Sequence, residues 1–168
     1  KGEFDVLARG DNGPKLTPIA TSETALPEPL SLYASTKLMQ ENVTANLCSL
    51  RNIPIHCLRF QNVYGPGQSL KNPYTGIVSI FLNNIRNGIV SNIFEDGGST
   101  RDFIFIDDLI RVLLKCPDIN HSFTFNLGSG TATTVLEVFD ALAMSFDSEH
   151  RSLFSVTGDY RVGDIRCN

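Results

Sequence analysis

Tyr33 and Lys37 are the most informative pair of side chains in this sequence, standing four residues apart in Tyr33-Ala34-Ser35-Thr36-Lys37. On a helix that spacing brings both side chains out on one face, within reach of a common ligand. A free tyrosine titrates near ~10, and an ammonium close by favours the phenolate, which makes the residue usable as acid and base near neutrality. The same spacing is common on helices that do no chemistry. From the residues alone, Arg101-Asp102 reads as an exposed charged pair ahead of a strand, and Asn62 as a turn residue that tolerates left-handed backbone. Asp107-Asp108 reads as a helix cap rather than as a paired acid and base. His56 falls in a strand and His121 and His150 in polar loops; none has a partner at ligand spacing, and none is assigned a role. Cys48, Cys57, Cys116 and Cys167 are far apart and form neither a C-x-x-C pair nor a metal-ligand cluster, so they read as reduced thiols in a cytoplasmic compartment, with no metal.

A helix must position the Tyr33-Lys37 pair, and the sequence supplies one. From Ser31, a candidate cap, Tyr33, Lys37, Met39, Val43, Leu47 and Leu50 recur every three to four residues, and no Pro or Gly interrupts until Pro54. The apolar back face Met39, Val43, Leu47 and Leu50 serves either as plain core or as a contact with a second subunit. A buried strand is predicted over 55–60, a turn at Tyr64-Gly65-Pro66-Gly67, and a helix over 75–87 closed by Gly88. Strands are predicted over 89–94, 103–106 and 123–127, with Gly97-Gly98 as a turn and a helix from Asp107 or Asp108 through Cys116, stopped by Pro117. Thr134 followed by Glu137 makes a capping box for a last helix over 135–146. Helices alternating with strands, without an internal repeat, predict an α/β architecture.

Composition narrows the function. The 168 residues are 42% hydrophobic and 19% charged, enough for a packed core and unlike collagen, a coiled coil or a disordered tail. The longest apolar stretches are strand-sized, well short of the roughly 18 residues a membrane span needs, and no secretory signal is read. A net charge of -4 argues against a nucleic-acid partner. Residues 1–28, rich in Gly, Pro, Asp and Thr, read as an irregular loop or insertion, and 29–168 as the long helix with the strands and helices that follow it.

Five stretches in order resemble one family. Pro29-Leu30-Ser31-Leu32-Tyr33-Ala34-Ser35-Thr36-Lys37-Leu38-Met39-Gln40-Glu41 is similar to the active-site helix of the extended short-chain dehydrogenase/reductase family, specifically its NAD-dependent nucleotide-sugar epimerases and dehydratases. Leu58-Arg59-Phe60-Gln61-Asn62-Val63-Tyr64-Gly65-Pro66-Gly67 resembles the strand and turn that follow it. Thr100-Arg101-Asp102-Phe103-Ile104-Phe105-Ile106-Asp107-Asp108-Leu109, Phe125-Asn126-Leu127-Gly128-Ser129-Gly130 and Arg161-Val162-Gly163-Asp164-Ile165-Arg166 resemble its R-D-F/Y, F-N-x-G-x-G and R-x-G-D segments. The stretch 1–28, with Gly2-Glu3-Phe4-Asp5 and Pro18-Ile19-Ala20-Thr21, resembles an insertion in a subset of epimerases, including dTDP-rhamnose 4-epimerase-like members; UDP-glucose 4-epimerase-like members are the other close group.

The resemblance implies the C-terminal part of a Rossmann-type NAD(P)-binding fold together with a small α/β substrate-binding region. The glycine-rich phosphate turn and an upstream Ser or Thr of the family are not matched, since Gly128-x-Gly130 continues with Thr133, so the chain reads as a fragment whose dinucleotide half is expected before Lys1. The implied reaction is C4 epimerisation of a nucleoside-diphosphate sugar by transient oxidation, with Tyr33 exchanging the hydroxyl proton and NAD carrying the hydride. Lys37 would lower the Tyr33 pKa and hold the nicotinamide ribose; the backbone at Phe60 and Gln61 would meet the nicotinamide end. Asn62 would hold the sugar nucleotide, Arg101 and Arg161 the diphosphate, and Asp164 a ribose hydroxyl or Arg161. A homodimer through the long helix is implied. Dehydratase or reductase chemistry, or a non-catalytic nucleotide-sugar-binding module, are the alternatives.

Overall fold

The computed structural model describes residues 4, 13–14, 16–70, 72, 75–146, 148–161 and 164–167. Of the predicted irregular segment and its insertion motif, Gly2, Glu3 and Asp5 lie outside the described residues, as do Val162 and Gly163 of the R-x-G-D stretch.

The helix carrying Tyr33 and Lys37 is α1 (Leu32–Ser49), and Ser31 caps it: its Oγ accepts from the Ala34 N–H at 3.1 Å. No residue of α1 is buried. The back face is open, with Met39 at 64% and Leu47 at 51% exposure, so within this chain it is not core. β1 (His56–Phe60) follows, then a strand the sequence did not announce, β2 (Asn62–Tyr64). α2 (Ile77–Arg86) ends as predicted on Gly88, whose φ is +64. The Gly88 N–H donates to Ile85 O and the Ile89 N–H to Asn84 O, the two bonds of a Schellman closure.

β3 (Ser91–Ile93) and β4 (Thr100–Phe105) lead into α3 (Ile106–Lys115). The cap position of α3 is Phe105, not Asp107 or Asp108, because β4 runs into the helix with no loop between them. The two carboxylates instead sit in the first turn, where negative charge meets the positive end of the helix dipole. β5 (Phe123–Leu127) and the short β6 (Ala132–Thr134) precede α4 (Val135–Ala143). The Thr134–Glu137 capping box is formed, with the Glu137 N–H on Thr134 Oγ1 and the Thr134 N–H on Glu137 Oε2. β7 (Phe154–Val156) is the last strand.

Three small sheets result. β1 pairs β5 in parallel, β3 pairs β7 in parallel, and β4 lies between parallel β2 and antiparallel β6. The main buried cluster belongs to α2, α4 and β3: Phe81, Ile85, Ile93, Val138, Phe139 and Ala143; Ile104 of β4 and Leu109 of α3 are buried apart from it. The Phe139 ring meets Phe81 edge-on at 5.4 Å and tilts against Phe154 at 5.2 Å. This is the α/β class expected from the alternation of elements.

Candidate active site

Tyr33 is 71% exposed, and Lys37 Nζ stands 5.6 Å from the centre of its ring. The ammonium donates to Gln40 Oε1 at 3.3 Å, and Thr36 Oγ donates to the Tyr33 carbonyl at 2.8 Å. One turn further along α1, Glu41 receives two bonds from Arg59 of β1. That pair ties the helix to the strand that ends at Phe60. The Arg59 guanidinium holds the Glu41 carboxyl below its ordinary pKa, while burial, helped by the Glu41 charge, pushes the Cys57 thiol up.

Phe60 ends β1 half-exposed, and the Gln61 N–H donates to Leu127 O at 2.9 Å, extending the β1–β5 ladder by one bond. The segment before α1 laces the same strands from outside. Thr21 O accepts from Asn126 Nδ2 at 2.8 Å, Glu23 Oε1 from the Asn126 N–H at 3.0 Å, and Glu23 O from Arg59 Nη1 at 3.3 Å. The Asn126 N–H, foremost, lowers the Glu23 pKa. A cleft of about 750 Å³ lies between this segment and the turn after β5, with Gln61, Thr100 and Asp102 on its walls. Tyr33 and Lys37 are not among its lining residues.

Arg101 and Asp102 are not an exposed pair turned toward each other. Consecutive residues of a strand face opposite ways, and each has its own partners. Arg101 Nη1 donates to Ser99 Oγ and Thr100 O, both at 2.8 Å, and Nη2 to Asp164 Oδ1 at 2.9 Å. Asp102 accepts from Ser129 N at 2.7 Å, Ser129 Oγ at 2.8 Å and Gly130 N at 2.9 Å. Its carbonyl takes the Asn62 side-chain amide at 3.1 Å, so Asn62 bridges two strands rather than closing a turn. The Gly128-x-Gly130 turn therefore folds around an internal carboxylate, and the Ser129 and Gly130 N–H groups are committed to it rather than to a phosphate.

Asp164, expected on a ribose hydroxyl or on Arg161, pairs with Arg101 instead. The Arg161 guanidinium packs over the Phe94 ring at 4.9 Å. Arg166 is held by Glu95 at 2.6 Å and by both oxygens of Asp96 at 2.5 and 2.8 Å. The pairing drives Asp96 down to about 2 and raises Arg166. The structure thus joins Tyr33 to Lys37 and Arg101 to Asp164; no hydrogen bond or ion pair links these two pairs among the described residues. Sequence reasoning passed over Glu41 with Arg59, and Asp102 with its turn. The first had a signal, opposite charges inside two of the matched motifs; the second had none, since two of its three donors are main-chain N–H groups and all lie 27 or 28 residues away.

A model of the NAD dependent epimerase/dehydratase family matches residues 9–128. The chain belongs to that family. Relatives include the dTDP-L-rhamnose 4-epimerase of Burkholderia thailandensis, 40% identical over 83% of this chain and 38% of its own length. The UDP-glucose 4-epimerase of Mycolicibacterium smegmatis is 30% identical over 87% of this chain and 46% of its own. Among solved structures, the UDP-glucose 4-epimerase of Thermotoga maritima with UDP-glucose superposes with a TM-score of 0.76 at 30% identity, covering 91% of this chain and 48% of that one. MoeE5 in complex with UDP-glucuronic acid and NAD gives 0.78 at 30% identity, covering 90% and 50%. This member of the epimerase/dehydratase family spans half or less of the length of those relatives.

Proposed function

We propose that this chain supplies the active-site helix and the nucleotide-sugar-binding part of an NAD-dependent epimerase acting at C4 of a nucleoside-diphosphate sugar. The carrying observation is the Tyr33–Lys37 pair, one helical turn apart with Nζ 5.6 Å from the ring, on a helix tied by Glu41–Arg59 to the strand ending at Phe60. Tyr33 takes the proton of the sugar C4 hydroxyl and returns it. Lys37 has two ammonium donors beyond the one on Gln40, suited to the hydroxyls of the nicotinamide ribose. The residues present leave room for the nicotinamide end of NAD: Phe60 is half-exposed at the end of β1, and Gln61 lines the cleft. NAD, when bound, supplies the reversible oxidation at C4.

Arg101 suits the diphosphate. Ser99, Thr100 and Asp164 occupy three of its five N–H donors, which leaves the Nε edge and one Nη2 hydrogen for paired oxygens. Arg161, planar and exposed against Phe94, is a second cation for the nucleotide, and Asn62, with its Nδ2 donating to Asp102 O, keeps its Oδ1 as an acceptor for the sugar nucleotide. The relatives' epimerase names and the UDP-sugars in the neighbouring structures support this substrate class. The four free cysteines accord with a reducing, cytoplasmic setting, and the exposed stripe on α1 with contact to a second copy.

The deciding experiment is Tyr33→Phe in the full-length protein. Turnover of UDP- or dTDP-sugars falls by about 10²–10⁴-fold, the usual worth of a positioned acid and base, while nucleotide-sugar affinity stays within a few fold. Turnover retained at the parent rate overturns the reading.

A further inference from the structure

We propose that Asp102 is a positioning residue for the reacting end of the site, acting through the turn after β5 and through Asn62. Three donors converge on its carboxylate, two of them the main-chain N–H groups of Ser129 and Gly130. The turn they belong to packs against the residue that follows Phe60: Leu127 O, at the end of β5, accepts from the Gln61 N–H, and Gly128 lies so near Asp102 and Gln61 that no side chain fits there. The Asp102 carbonyl meanwhile holds the Asn62 amide. One residue of β4 therefore clamps Gln61 and Asn62 from two directions, by its side chain through the turn and by its main chain directly.

The arrangement divides labour along a single strand. Arg101, one residue earlier and on the opposite face, is oriented by Asp164 and is the residue assigned to the diphosphate in the epimerase reading. Asp102 makes none of those contacts. Disturbing it shifts the backbone at 60–61 and leaves the Arg101 partners in place. A carboxylate suits this because it is an acceptor at every lone pair. An asparagine of the same shape presents an N–H pair to one of the donors and forces the turn to move.

The inference rests on the epimerase reading, and its test is arranged so that the two fail separately. In the full-length protein, Asp102→Asn lowers kcat at least tenfold while KM for the nucleotide sugar stays within twofold, in protein that still binds one nucleotide sugar per site. Amide exchange at Ser129 and Gly130 speeds up at least tenfold in the same variant, whether or not the parent turns over. A kcat within twofold of the parent, or unchanged exchange at those amides, overturns the role of Asp102. A parent without epimerase turnover overturns the reading of function, and the exchange result then decides Asp102 alone. Should Asp102→Asn not fold, Ser129→Ala, which removes one of three donors, lowers kcat at least threefold; an unchanged kcat in that variant overturns the proposal.

Discussion

Arg59 on β1 grips Glu41 on α1 with two N–H···O bonds, Nε to Oε2 at 3.2 Å and Nη2 to Oε1 at 2.5 Å. The two side chains keep 29% and 24% of their surface. With no buried residue on α1, this fork is the principal polar tie between the Tyr33–Lys37 helix and the strand beneath it.

Glu41→Gln is expected to destabilise the fold by roughly 1–2 kcal/mol, between the worth of an exposed ion pair and of a buried one. Urea unfolding followed by circular dichroism checks this, and an unchanged midpoint would show that α1 is held by other contacts.

The Asp96–Arg166 pair makes stability depend on pH in the acid range. Asp96 has its pKa depressed from 3.8 to about 2 by the guanidinium, so its contribution is complete above pH 4 and is lost as pH falls toward 2. The parent midpoint in urea should therefore drop more steeply from pH 4 to 2 than that of Asp96→Asn, which has already lost the ion pair. Parallel curves for the two proteins would contradict the coupling.

Gly128→Ala puts a methyl group against the Asp102 carboxylate and within 2.7 Å of Gln61 Cγ. Both are held by their own bonds, so overpacking of about 1–3 kcal/mol is expected. A fall in thermal midpoint checks it; Gly67→Ala, where no atom lies within 4 Å of the added carbon, separates local crowding from the strain of a positive φ.

Leu47→Glu should turn a dimer into a monomer in sedimentation equilibrium, since Leu47 and Val43 are about half exposed on the stripe assigned to a second copy. A parent already monomeric at micromolar concentration would remove that assignment.

Legibility in the sequence followed the range of the interactions. Ser31, Gly88 and the Thr134–Glu137 box act within four residues of themselves, and each marks a helix end that the structure also has. β2, β6 and β7 are three residues each and exist only through partners far along the chain, so no local pattern announces them. Within the site, Tyr33 and Lys37 could be paired by spacing alone. Asp164 could not be assigned to Arg101, 63 residues away, and Asp102 was legible only as one half of a charged dipeptide. The aspartates at 107 and 108 misled because cap chemistry and first-turn chemistry favour the same residue types.

The pairing of β1 with β5 also governs how the chain assembles. Ile55 and Ser122, at the entrance to these strands, are 67 residues apart and joined by a hydrogen bond, and β2, α2, β3, β4 and α3 all lie in the chain between β1 and β5. Two neighbouring strands can meet only after that long excursion has closed, and an unstructured loop of such length is slow to close. A compact intervening segment brings the ends together sooner. The core made by α2, α4 and β3 lies partly inside the excursion and partly beyond it, so its collapse draws residues on both sides of β5 toward the middle of the chain. The core of α2, α4 and β3 thus acts as the scaffold on which β1 and β5 are brought into register, and substitutions in Phe81 or Phe139 should slow refolding more than substitutions on α1.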